Sequence, residues 1–160
     1  MNNISTRNLQ DADYPEMMRI DQLVFNSSTS PAPMKQRTIE EYAERYTVDK
    51  VFVAEIEGKV AGYIGYDNPT GLKSNSHVME FYIAVHPDFQ GKGIGRALIN
   101  HLTNWGREQG FLKLSLRVLS INEAAIAFYI SNGFKEQGRL MKEFLLDGVF
   151  VDDIMMYKML

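Results

Sequence analysis

Between residues 86 and 96 the chain reads His86-Pro87-Asp88-Phe89-Gln90-Gly91-Lys92-Gly93-Ile94-Gly95-Arg96. Few local structures accommodate this run. Val78 to Val85 before it is nearly continuously apolar, interrupted by Glu80, which marks a central strand covered on both faces. The strand stops at His86-Pro87, because proline brings no N–H to a sheet ladder. After the run, Ile94, Ala97, Leu98, His101, Leu102 and Trp105 recur at steps of three and four, predicting a helix from about Ile94 to Glu108. A glycine turn between strand and helix lets several main-chain N–H groups converge with no Cβ in the way. The positive end of the helix dipole lies behind them. A diphosphate is the natural guest; a helix N-terminus with flexible glycines and no ligand is the other reading of the turn taken alone.

Two familiar nucleotide motifs do not fit. A P-loop needs G-x-x-x-x-G-K-[ST], but Lys92 is followed by Gly93. The dinucleotide fingerprint G-x-G-x-x-G fits Gly91 and Gly93 but meets Arg96 at its third small position. The chain contains no cysteine, which removes disulfides, thiolate metal sites and a cysteine acyl-enzyme. His77, His86 and His101 have no metal-ligand spacing, so no metal is expected. The net charge of −3 offers no basic field for nucleic acid. No apolar run approaches the roughly 20 residues of a spanning helix, and Met1 to Thr6 lacks a signal-peptide start. A soluble cytoplasmic monomer or homodimer is expected, read as one domain over residues 1–160.

The rest of the chain alternates strands and helices. Ile4 to Leu9 reads as a strand. Asp11 to Phe25 reads as a helix with Met17, Ile20, Leu23 and Val24 inward and Asp11 or Asp13 as cap. Asn26 to Pro33 is a loop, Arg37 to Tyr46 a charged helix. Val51 to Ile56 and Val60 to Tyr66 flank Glu57-Gly58-Lys59 as a hairpin. Asn68 to Ser76 is a polar loop. Leu112 to Leu119 is a strand with Leu114, Leu116 and Val118 on one face. Ser120 and Glu123 have capping-box spacing for a helix that closes at Gly133. Phe134 to Met141 and Phe150 to Leu160 end the chain as strands around Asp147-Gly148, with Met155, Met156 and Met159 read as core. The order implies an α/β fold with a mixed sheet and a parallel crossover from Val78 to Leu119.

Val85-His86-Pro87, Gln90-x-x-Gly93-x-Gly95 and Arg96-Ala97-Leu98 resemble the acetyl-CoA signature of the GNAT superfamily of N-acetyltransferases. A second segment, Asn122 to Phe134 with Ala125, Tyr129 and Gly133, agrees with the same superfamily. The resemblance implies a mixed sheet of about seven strands with four helices on both faces, splayed between two parallel strands. It implies acetyl-CoA as donor, with Gln90, Gly91, Lys92, Gly93, Ile94, Gly95 and Arg96 cradling the diphosphate. Ile83, Ala84 and Val85 would pair with the pantetheine arm, beside Asn122 and Phe128. A bulge in this strand is expected to open the sheet edge and free an amide near Ile83 for the thioester carbonyl.

Direct attack of a primary amine on the thioester is the chemistry implied. Tyr129, which also fits as a packing partner of Phe128, is the candidate acid for the leaving thiolate. Glu80 is the candidate base, because carboxylates are rare in apolar strands; an ion-paired structural Glu80 or a water chain fits equally. The acceptor is expected among the N-terminal helices, the loop Asn26 to Lys35 and the C-terminal hairpin. Glu143, Asp147, Asp152 and Asp153 could attract an amine there or form a solvated acidic turn. Gly148 to Met156 loosely resembles branches acting on amino acids or other small amines. A protein or peptide N-terminus, a lysine, or a silent acetyl-CoA-binding module are the other readings.

Overall fold

A computed structural model describes residues 3–32 and 35–160. Met1, Asn2, Pro33 and Met34 lie outside the described residues, so the readings of the first residues and of the loop Asn26 to Lys35 are tested only in part. The elements are β1 (Ile4–Asn8), α1 (Tyr14–Val24), α2 (Ile39–Arg45), β2 (Val51–Ile56), β3 (Lys59–Asp67), β4 (Val78–Val85), α3 (Ile94–Glu108), β5 (Lys113–Leu119), α4 (Glu123–Ser131), β6 (Lys135–Leu146) and β7 (Val149–Met159). They build a seven-stranded sheet in the order β1-β2-β3-β4-β5-β7-β6. Its ladders are antiparallel except β4–β5, which is parallel and joined through α3. β4 is the middle strand, as its two-sided apolar sequence predicts.

Strand alternation separates two cores. Phe52, Ile64, Met79, Phe81, Leu114 and Leu116 face α3, whose Ile94, Leu98, Ile99 and Leu102 are buried against them. Burying a side chain such as Leu98 contributes about 1.5–3 kcal/mol. Gly62 sets how closely α3 approaches: a Cβ there would fall 2.8 Å from the Ala84 carbonyl oxygen and 3.1 Å from Ile94. On the opposite face, Met17 and Ile20 of α1 pack with Val51, Val53, Tyr63 and Ala84. Asp21 is buried there and accepts hydrogen bonds from the hydroxyls of Tyr42, at 2.6 Å, and Tyr63. Burial pushes its carboxyl above the usual carboxylate range, against these two donors.

Several local readings need correction. Asp13 takes the N-cap position of α1, but its side chain makes no cap hydrogen bond there. Its carboxylate turns back to accept from the Gln10 amide at 2.8 Å and from Arg7 at 2.7 Å, tying the end of β1 to a short 3-10 turn at Asp11–Asp13. The helix with a full capping box is α2, where Thr38 and Glu41 satisfy each other's backbone amides. Ser120 does not open α4. Asn122 is the N-cap and accepts from the Ala125 amide, while the Ser120 hydroxyl accepts from the Asp152 amide in β7. Leu23 is 48% exposed, because α1 turns it away from the sheet. Met156 is core, but Met159 is 58% exposed near the end of β7. The bulge expected in β4 is absent, since β3 and β4 keep one register from Gly62↔Val85 to Asp67↔Glu80. The break lies between β2 and β3, where Ala61 is the extra residue.

Candidate functional site

β4 and β5 pair at three positions, Val78↔Lys113, Met79↔Leu114 and Glu80↔Ser115, and then separate. Alternation decides which β4 groups are left over. The His86 amide bonds the Ala61 carbonyl at 2.8 Å, so even-numbered residues Glu80, Tyr82 and Ala84 address β3. Odd-numbered residues address the other side: the His77 carbonyl accepts from the Leu112 amide at 3.0 Å. Beyond the pairing, the Phe81 carbonyl and the main-chain groups of Ile83 and Val85 face the gap between strands, the Val85 carbonyl accepting from Gln90 Nε2 at 3.4 Å. They form a strand edge inside the molecule, the kind of edge that an extended chain of amides can join.

The gap leads to the glycine turn. His86 is buried, and its Nδ1 accepts from the Asp88 amide at 3.1 Å, which sets the tight exit from β4. Gly91 and Gly93 hold φ of 75° and 88°, conformations that L side chains rarely adopt. Gly93 is the N-cap of α3, whose first amides have no helical partner and point outward under the dipole. Gly95 serves a different need: a Cβ there would lie 2.8 Å from the Phe128 ring of α4. The turn therefore combines outward-pointing helix amides with a close helix contact.

A cavity of about 1080 Å³ runs through the splay. Its lining takes in Ile83, Ala84 and Val85 on β4; Gln90, Gly91 and Gly93 through Arg96 at the turn; and Asn122, Phe128 and Tyr129 from α4. Lys92 is outside the lining, with its ammonium over the Phe89 ring at 5.2 Å. Asn122 uses its side-chain carbonyl for the cap, leaving its amide NH₂ without a partner among the described residues. Tyr129 stands among the rings of Phe81, Phe128 and Phe134, and burial pushes its phenol up to about 12. Glu80 does not line the cavity. It sits at the closed foot of the splay, opposite Asp67 on β3 and Ser115 on β5.

The far face of the splay carries groups with weaker sequence signals. Tyr82 of β4 and Arg117 and Asp153 of β5 and β7 line the same cavity, under Val24, Phe25, Thr29 and Pro31. Asp153 is 5% exposed and meets Arg117 Nη2 at 2.7 Å. Sequence reasoning offered Asp153 either as a group that attracts an amine or as part of a solvated acidic turn, and passed over Arg117 altogether. Nothing local could reveal the pair, because two strands 36 residues apart supply it. Of the other acidic candidates, Asp152 bonds Arg139 and the Lys142 amide, away from the lining. Glu143 and Asp147 also lie outside it.

Residues 9–134 match the model of the acetyltransferase (GNAT) family. The chain belongs to that family. The stretch matched to the L-amino acid N-acyltransferase MnaT of Escherichia coli is 34% identical over 84 residues, 52% of this chain and 49% of that one. The chain spans about half the length of the curated relatives it matches. Two solved GNAT-like structures superpose over nearly the whole chain. A ribosomal-protein-alanine N-acetyltransferase from Brucella melitensis has TM-score 0.81 and 28% identity, covering 98% of this chain and 99% of its own. The yncA protein from Salmonella typhimurium, solved with its cofactor acetyl-CoA, has TM-score 0.86 and 25% identity, covering 98% of this chain and 94% of its own. The seven-stranded splayed sheet is thus the GNAT fold in this chain.

Proposed function

We propose that this GNAT chain transfers an acetyl group from acetyl-CoA to a primary amine of a small molecule. The observation that carries the reading is the inner edge of β4, unpaired with β5 beyond the short ladder, running directly into the glycine turn of α3. Together they suit a ligand with amides along one arm and a diphosphate at its end. When bound, acetyl-CoA supplies the activated acyl group as a thioester. The nitrogen–carbon bond forms and the carbon–sulfur bond breaks; the ammonium gives up two protons, one to solvent and one, by way of water, to the departing thiolate.

The residues divide the work. The first amides of α3, from Ile94 to Arg96, hold the diphosphate with Gln90 and Gly91. Lys92 and Arg96 add positive charge at its rim. Ile83 and Val85 pair with the pantetheine arm, and the free NH₂ of Asn122 adds a donor. The Ile83 amide is assigned to the thioester carbonyl, where a fixed donor stabilises developing charge. Holding both reactants in line is the largest contribution, up to about 7–11 kcal/mol in well-oriented pairs.

The acid role for Tyr129 narrows on physical grounds. A free thiol has a pKa of roughly 8.5, so a phenol raised to about 12 keeps its proton beside a thiolate. Tyr129 therefore donates a hydrogen bond to the leaving sulfur rather than surrendering the proton. Glu80 lies on the Tyr82 face of β4 without lining the cavity, so it takes the amine's proton only through water. The test is thiol release from acetyl-CoA against a panel of amines, with acetylated product read by mass. Binding of acetyl-CoA with no turnover on any amine would support a silent binding module instead. Tyr129→Phe should lower kcat about tenfold or more while leaving the shape of the pH–rate profile unchanged. An unchanged profile in Glu80→Gln removes Glu80 from the reaction.

A further inference from the structure

We propose that Arg117 and Asp153 form the receptor for the acceptor, and that the acceptor is an α-amino acid or a close analogue. Such an acceptor carries its carboxylate on the carbon next to the amine. The inference rests on the acetyltransferase reading and adds the acceptor's chemistry to it.

The two faces of the splay divide the substrates. The glycine cradle, Asn122 and Tyr129 lie on the α3 and α4 side. Tyr82, Arg117 and Asp153 lie on the opposite face, under the C-terminal end of α1. The register shows this: Arg117 and Leu119 of β5 pair with Met155 and Asp153 of β7, and alternate with Leu116 and Val118 of the α3-side core. A donor held in the cradle therefore presents its acyl end to a chamber whose charged groups are these two. Among the described residues, Asp153 is the one carboxylate that lines the cavity. Arg96, the other lining cation, belongs to the cradle.

The chemistry of the pair matches a zwitterion. Asp153 is almost fully buried, which is costly for a carboxylate without a partner. Arg117 supplies that partner through Nη2 at 2.7 Å, yet its side chain is 48% exposed. Its remaining guanidinium donors have no protein partner among the described residues. The nearby lining of Phe25, Leu119 and Phe144 is apolar. An ammonium beside Asp153 and a carboxylate on the open edge of the Arg117 fork would set ligand dipole against protein dipole, head to tail. Arginine forks recognise carboxylates through paired hydrogen bonds. A peptide N-terminus has an amide carbonyl where this fork expects a carboxylate.

The experiment compares kcat/KM for an L-amino acid, its amide, its decarboxylated amine and a dipeptide beginning with the same residue. The free acid should exceed each of the others by at least about tenfold. Arg117→Met should collapse that preference, mainly through a higher KM for the free acid, and Arg117→Lys should keep part of it. Asp153→Asn should raise KM for every amine. Acetyl-CoA binding, measured by calorimetry in each variant, separates loss of fold from loss of the receptor. Preference of the unmodified protein for the amide, the amine or the dipeptide overturns the inference, even with acetylation intact. So does an unchanged preference in Arg117→Met. Failure to acetylate any amine overturns the acetyltransferase reading itself, which is a different result.

Discussion

Gly95 and Phe128 show how a single missing methyl group sets the distance between two helices. A Cβ at position 95 would lie 2.8 Å from the ring, so Gly95→Ala must move Phe128 or the start of α3. Overpacking of this kind costs about 1–3 kcal/mol. Urea denaturation should show that loss for Gly95→Ala, and a smaller loss when Phe128→Leu is added, because the smaller side chain makes room. His101 gives a residue-scale prediction of another kind. Its Nδ1 is 2.8 Å from the Thr6 hydroxyl and its ring packs, tilted by 53°, against Phe52 at a centroid distance of 4.6 Å. Burial lowers its pKa below the ordinary 6.5. As pH falls, the unfolded chain takes up this proton first. The stability from neutral His101 is therefore complete above pH 6.5 and is lost as pH drops toward and through the folded value. Denaturation curves between about pH 8 and pH 5 should lose that slope in His101→Gln.

At the scale of elements, the decisive event is the parting of β4 and β5. Three paired residues hold the foot of the splay, and the helix α3 that joins the strands also supplies the cradle at its own N-terminus. One crossover thus fixes both the open edge of β4 and the position of the glycine turn. The helices of the opposite face are short and depend on local devices. Thr38 and Glu41 close both ends of a capping box on α2, a seven-residue helix whose Tyr42 reaches Asp21. Thr38→Ala should lower global stability by about 1 kcal/mol, read from the denaturant midpoint. The lost amide partner loosens the helix that holds Tyr42 in place.

For the whole molecule, the cavity lies between halves of the sheet that share only the short β4–β5 ladder. A ligand bridging β4, α3 and α4 should stabilise the entire fold. At 100 times its dissociation constant, acetyl-CoA should add about 2.7 kcal/mol and raise Tm in a concentration-dependent way; an unchanged Tm would count against the cradle. The sequence alone determined what is local and periodic. The exact limits of β2, β4 and α3 follow from apolar spacing with proline and glycine as punctuation. The glycine cradle follows from backbone freedom at Gly91 and Gly93. Only the tertiary structure decided what depends on distant strands meeting. It chose Asn122 over Ser120 as the α4 cap, because the Ser120 hydroxyl is taken by the β7 backbone. It opened the β4 edge by ending a ladder rather than by a bulge. It left Glu80 off the cavity wall and set Arg117 against Asp153. Spacing along a chain reports which face a side chain takes within its own element; which charge waits across that face depends on register between strands, and register is set by the packed whole.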